Sequence, residues 1–258
     1  MNDRRPRRWR IGLMLVGALA LALSAVIAGA AEEAATPEPE ALPSLQQQLD
    51  ARAAASAAKA SPEAKAAVMA TLEELRRAQI TQKAIQVGDK APDFALPGIG
   101  GQTVRLSDLL QEGPVVVAWY RGGWCPYCNL QLHALQQALP QIESRGARLV
   151  AISPEKPDNS LTTAQKHDLK FHVLSDGGNA VARDYGLIFT LPDALRTLYG
   201  KFGIDLEATN GDASWTLPLP AVYVIDKSGR VTYAFLDVDY KRRAEPATIV
   251  QELDKLKK

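Results

Sequence analysis

Only two cysteines occur in 258 residues. Two cannot build the disulfide framework that staples a small secreted domain. They stand at Cys125 and Cys128 with no second pair, so they supply at most half of a four-ligand zinc site. Histidine is scarce too. His133, His167 and His172 are scattered and complete no metal-ligand spacing. No metal or other cofactor is therefore expected. Net charge is nearly absent, at +1, and hides an asymmetry. Residues 1–30 carry five arginines against Asp3; setting them aside leaves 25 basic and 28 acidic residues. That remainder has no basic excess to attract nucleic acid. There is no internal repeat.

Charge is missing altogether from Ile11 to Ala31, directly after the arginines at 4, 5, 7, 8 and 10. Ala28-Gly29-Ala30 is a small-x-small cleavage site, followed by Glu32-Glu33. This is the pattern of a secretory signal peptide over 1–30. The uncharged run is also about one membrane span long, so a membrane tether through residues 11–31 is the alternative. No cysteine lies near the site for lipid attachment. Both readings place the bulk of the chain outside the cytoplasm, in an exported, periplasmic setting whose oxidising conditions favour a Cys125–Cys128 disulfide unless a reductant reaches it.

What is present centres on Val115–Cys128. Val115-Val-Val-Ala-Trp-Tyr120 reads as a buried strand. Leu130, Leu132, Leu135 and Leu139 follow at helical spacing. The Cys-x-x-Cys thus sits where a central strand ends and a helix begins. Backbone N–H groups and the helix dipole there favour an anion, here a thiolate. Trp124 and Pro126 restrict water and mobility around it. Two inert buried thiols are the bland alternative.

Around this centre, 31–43 reads as an Ala/Glu/Pro linker. Residues 44–86 read as a helical hairpin or spacer, with Leu45 and Leu49 on one face of the first helix. Ser61 caps the second, Pro62 is its first residue, and Val68, Leu72 and Leu75 form its stripe. From 87 to 258, strands alternate with helices, and a hairpin and a helix close the chain. That is an α/β pattern with a central mixed sheet flanked by helices, preceded by an N-terminal helical segment. Ser107 is expected to cap a short helix after a strand at 102–106, and a helix is expected over 160–169. Leu187–Trp215 is less regular and reads as an insertion or lid. Lys241-Arg242-Arg243 reads as a solvated face.

The order of elements with the Cys-x-x-Cys resembles the thioredoxin superfold. The details resemble its peroxiredoxin-like branch, the alkyl hydroperoxide reductase/thiol-specific antioxidant type. Val87-Gly-Asp-Lys-Ala-Pro-Asp-Phe94 is similar to the start of peroxiredoxins, and Val222-Tyr-Val-Ile-Asp-Lys-Ser-Gly229 to their late strand and turn. More narrowly, the chain resembles members with Tyr-Arg-Gly-Gly-Trp-Cys-Pro-Tyr-Cys, Ser153-Pro154, Leu174-Ser175-Asp176 and Arg243-Ala-Glu-Pro246. On this resemblance Cys128 falls on the peroxidatic cysteine and Cys125 replaces a threonine. The arginine placed before the late strand is missing, since Leu219-Pro220-Ala221 stands there. Pro220 instead resembles the cis-proline that faces the disulfide in thioredoxins.

The resemblance implies a thiol-dependent peroxidase acting on hydrogen peroxide or organic hydroperoxides. Cys128 would attack, Cys125 would resolve, and an external thioredoxin-like or small thiol would reduce the disulfide. The alternative is an extracytoplasmic thiol–disulfide oxidoreductase in which Cys125 attacks a protein disulfide and Pro220 shapes the docking groove. Arg121 is the nearest cation in sequence and is expected to support the thiolate; an ordinary solvated arginine is its alternative. Trp124 is expected to pack and shield.

Overall fold

A computed structural model describes Leu42 and residues 44–257. The expected leader and tether, and all of the 31–43 linker but Leu42, lie outside the described residues. No helix among the described residues is long and apolar enough to cross a membrane.

The N-terminal arm is α1 (Leu45–Lys59), α2 (Pro62–Arg77) and the short α3 (Ile80–Lys83). Ser61 caps α2 as expected, its hydroxyl accepting from the Ala64 N–H at 3.2 Å. The arm is a docked part of the domain rather than a spacer. Leu45 and Leu49 are fully buried in one core with Leu132 and Leu135. Burying two leucines favours docking by roughly 3–6 kcal/mol before ordering costs. Glu245, two residues beyond Arg243, completes the tie. Its carboxylate accepts from the Leu45 and Gln46 N–H groups at 3.0 and 2.7 Å, and Ser44 donates to it at 3.1 Å. A carboxylate there satisfies orphan donors and complements the helix dipole.

A small hairpin of β1 (Ala95–Pro97) and β2 (Thr103–Arg105) leads into α4 (Leu106–Glu112). Asp93, not Ser107, supplies the acceptor at its start, taking the Ser107 N–H at 2.9 Å. The centre follows: β3 (Val115–Trp119), α5 (Pro126–Glu143), β4 (Arg148–Ser153), α6 (Pro157–Lys166), β5 (His172–Ser175) and α7 (Ala180–Asp184). Helix α6 starts three residues before its expected position because Pro157 fits the first turn of a helix.

Leu187–Trp215, expected to be less regular, is built of short elements. It holds β6 (Ile188–Thr190), α8 (Asp193–Lys201) and α9 (Leu206–Asn210), and β6 pairs with β7 (Thr216–Pro218). Leu191, Leu195, Tyr199, Leu206 and Leu217 bury a small core of their own, and Val68 of α2 packs against it. Then β8 (Ala221–Ile225), β9 (Val231–Leu236) and α10 (Pro246–Lys255) close the chain.

The main sheet runs β5-β4-β3-β8-β9. Strands β3, β4 and β5 are parallel, β8 runs against them, and β9, antiparallel to β8, points the same way as β3. Central β3 is buried throughout. With side chains alternating across a sheet, Val116 and Ala118 enter the core shared with α1, α5 and α10, while Val115, Val117 and Trp119 enter the opposite one. A strand covered on both faces needs the unbroken apolar run that the sequence shows. Its C-terminal end therefore delivers the next residues into the interior.

Candidate active site

Strand β3 passes through Tyr120 and Arg121 into the turn Gly122-Gly123-Trp124, and Cys125 is the N-cap residue of α5. The glycines have steric causes. Gly122 has φ +149°, and a Cβ there would meet the Trp124 indole nitrogen at 2.3 Å. A Cβ on Gly123 would meet the Thr163 hydroxyl at 2.0 Å. The turn is held closed by the Asn129 amide donating to the Gly123 carbonyl at 2.9 Å.

Both cysteines are free thiols with no solvent exposure. Each sulfur faces a buried guanidinium. Arg121 Nη2 donates to Cys125 Sγ at 3.0 Å, and its Nη1 donates to the Tyr199 hydroxyl at 3.0 Å. The Arg121 guanidinium lies 4.0 Å above the Tyr240 ring and 5.2 Å from the Trp124 ring centre. Arginine suits such a cage because its planar group stacks while its edge donates. Arg121 is thus no solvated arginine, and Trp124 packs edge-on to Tyr199 at 5.4 Å.

Arg243 serves the second sulfur, with Nη2 3.5 Å from Cys128 Sγ. It is buried at 3% exposure, which corrects its reading as part of a solvated face. Its Nη1 donates to the Tyr240 and Arg242 carbonyls, fixing the fork. Hence the arginine absent before β8 has a counterpart that arrives after β9. The Nε atoms of Arg121 and Arg243 have no hydrogen-bond acceptor among the described residues.

These contacts set the thiol acidities. Burial pushes the Cys125 thiol up, but the hydrogen bond from Cys128 and the charges of Arg121 and Arg243 outweigh it. Cys125 is held well below the usual thiol range. Burial, then the hydrogen bond to Cys125 and its negative charge, push Cys128 well above that range. One proton shared by two close sulfurs gives this split.

Glu155, after β4, is a site residue that the sequence did not single out. It is 2% exposed, and its carboxylate accepts from the Gly123 N–H at 2.9 Å. Burial raises its pKa to about 7, with Gly123 opposing and Cys128 adding to the rise. Its ordinary value is 4.5. Between the two values the folded chain keeps a proton that the unfolded chain has released. Stability therefore falls as pH rises through that window, and the loss is complete above about 7. Glu155→Gln keeps an acceptor for Gly123 and removes the charge. The unfolding free energy of the variant relative to wild type should rise by on the order of 3 kcal/mol from pH 4 to pH 8. Denaturant unfolding of the reduced proteins checks this; parallel pH curves would reject the assignment.

Pro220 is buried near Arg121, and both line one cavity. Its peptide bond is trans, as are all those described, so the expected cis-proline is absent. His133 is exposed and lies with Pro126 along a separate surface groove. Among the described residues, no three His, Cys, Asp or Glu side chains converge on a possible metal position. Tyr199 and Tyr240 also escaped the sequence reading. For Arg243 a signal existed, since it opens the Arg-x-Glu-Pro segment.

A family model described as the AhpC/TSA family matches residues 87–234. The chain belongs to that family. Among its relatives, the thiol-disulfide oxidoreductase ResA of Bacillus thuringiensis subsp. konkukian (strain 97-27) is 23% identical over 151 residues, covering 58% of this chain and 69% of the relative. The chloroplastic peroxiredoxin Q of Populus jackii is 29% identical over 172 residues, covering 67% and 68%. Peroxidoxin BcpB from Mycobacterium tuberculosis shares the fold, with a TM-score of 0.52 and 22% identity over 67% of this chain and 97% of that one. The AhpC/TSA relatives are thus oxidoreductases of two kinds, peroxiredoxins and thiol–disulfide enzymes. The mixed sheet with flanking helices is the thioredoxin-like fold expected from the sequence.

Proposed function

We propose that this chain is a thiol-dependent peroxidase that reduces hydrogen peroxide or an organic hydroperoxide through a Cys125/Cys128 dithiol–disulfide cycle. The observation that carries this reading is the sealed dithiol with a guanidinium on each sulfur. We assign the attack to Cys125, whose sulfur takes the Arg121 Nη2 donor at 3.0 Å at the N-cap of α5, and the resolving role to Cys128. This exchanges the roles that the peroxiredoxin resemblance implied. The Cys125 thiolate attacks the outer peroxide oxygen; an S–O bond forms and the O–O bond breaks. The departing alkoxide or hydroxide is stabilised by Arg121 and takes a proton from water. Cys128 then attacks the sulfenic sulfur. A disulfide forms, and the sulfenic oxygen leaves as water with the Cys128 proton. Two equivalents of an outside thiol restore the dithiol.

The ResA relationship and the thiolate at the helix N-cap favour thiol–disulfide exchange as the second reading. Burial argues against it as the main activity. A peroxide of a few atoms is small enough to approach a buried sulfur, whereas a disulfide in a folded protein needs part of the fold around Cys125 to open. Export rests on the signal-like pattern of residues 1–30. Protein recovered from the exported fraction should begin at Ala31 by mass spectrometry. Once reduced, it should consume one peroxide per dithiol and yield one disulfide. A mass that retains residues 1–30 would reject cleavage. Thiol oxidation no faster than that of free cysteine, with rapid exchange against a model disulfide, would move the chain to the second reading.

A further inference from the structure

A cavity of about 40 Å³ lies between α2 and the Leu187–Pro220 segment. Its polar end is Arg121 and Tyr199; Val68, Thr71, Leu72 and Leu75 form the wall on α2. A buried water needs about 10–15 Å³ by this measure, so the space holds only a few heavy atoms. Two features suit it to a small oxygen ligand. Arg121 borders the space, and its Nη2 donates to Cys125 Sγ at 3.0 Å. The Tyr199 hydroxyl accepts from Arg121 and keeps its own proton for donation. A molecule here meets donors at one end and hydrocarbon elsewhere. The Thr71 hydroxyl is already turned away, donating to the Ala67 carbonyl at 2.9 Å.

We propose that helix α2 of the N-terminal arm sets the size of hydroperoxide this chain accepts, restricting it to hydrogen peroxide and short alkyl hydroperoxides. Leu72 is the specificity-determining residue on that wall, at 4% exposure. The arm is then part of the active site, held there by Glu245 and the leucines of α1. This inference rests on the peroxidase reading and adds the substrate size and the element that imposes it.

The test measures kcat/KM for hydrogen peroxide and for cumene hydroperoxide with wild type, Leu72→Ala and the gentler Leu72→Val, all as full chains. Wild type should favour hydrogen peroxide. The ratio of cumene hydroperoxide to hydrogen peroxide should rise about tenfold in Leu72→Ala and less in Leu72→Val, as removing methylenes from a selective wall implies. If Leu72→Ala does not fold, Leu72→Val and Val68→Ala read the same direction. Equal efficiency on both substrates in wild type, or ratios within about twofold in every folded variant, would overturn the proposal. Failure of wild type to reduce even hydrogen peroxide is a different result: it removes the peroxidase reading and this inference with it.

Discussion

Cys125→Ser should lower peroxide reduction by at least about 10³-fold, while Cys128→Ser should keep one fast turnover and stop at a sulfenic acid. Losing a covalent nucleophile removes the reaction path, so the effect is large and is not shared among neighbouring groups. The asymmetry follows from the placement of charge. Arg121 lies 3.0 Å from Cys125, and Arg243 lies 3.5 Å from Cys128. Cys125 also receives the hydrogen bond from Cys128. Without Cys125, the remaining thiol loses its partner's negative charge but stays fully buried. Without Cys128, Arg121 still holds the thiolate, and no sulfur remains to condense with the oxidised one. Stopped-flow oxidation of the reduced variants, followed by sulfenic-acid labelling and mass spectrometry, reads both steps. The reverse pattern, fast in Cys125→Ser and absent in Cys128→Ser, would restore the peroxiredoxin assignment of the two sulfurs and leave the peroxidase standing.

The centre of this site was legible because its signals are local. Six apolar residues from Val115 to Tyr120, a Cys-x-x-Cys, and leucines at helical spacing occur in sequence order, and each maps onto one element. Leu45 and Leu49 revealed the buried face of α1 in the same way. The second cation was hidden for the opposite reason. Arg243 lies 115 residues from Cys128, and a Lys-Arg-Arg run has the same composition on a solvated surface or beneath one. Glu155 is a single acid after a strand. Nothing local separates it from a surface carboxylate until Gly123 and the buried sulfurs surround it. Leu187–Trp215 gave no pattern because its strand has three residues and its helices five and nine. Such elements are too short for periodicity; they are ordered by the small core around Leu195 and Leu206. At Pro220 the cis and trans forms differ by only about 0.5–1 kcal/mol in an unconstrained chain, so tertiary context decides the isomer.

Arg121→Gln should slow oxidation of Cys125 at pH 7 by about 10²-fold or more, and the pH profile should divide that loss into two parts. In wild type burial is outweighed by the hydrogen bond from Cys128 and by the charges of Arg121 and Arg243, which hold Cys125 well below the usual thiol range. The wild-type rate should therefore reach its plateau at a lower pH than an ordinary thiol and stay flat above it. Without the cation the thiol moves up toward or beyond its ordinary value of about 8.5. The rate of the variant should then climb about tenfold per pH unit until the thiol ionises. Where both thiols are ionised, any remaining deficit measures what Arg121 contributes to the departing oxygen rather than to the thiolate. Arg121→Lys keeps the charge but cannot hold Cys125 and Tyr199 with one planar fork. It should recover the flat profile and retain much of the deficit. Arg243→Gln is the counterpart. Its cation faces the resolving sulfur, so disulfide closure should slow more than the first oxidation. An Arg121→Gln variant with wild-type rate and profile would reduce this guanidinium to packing inside its aromatic cage, and the thiolate would then have to be held by the helix N-terminus and Arg243.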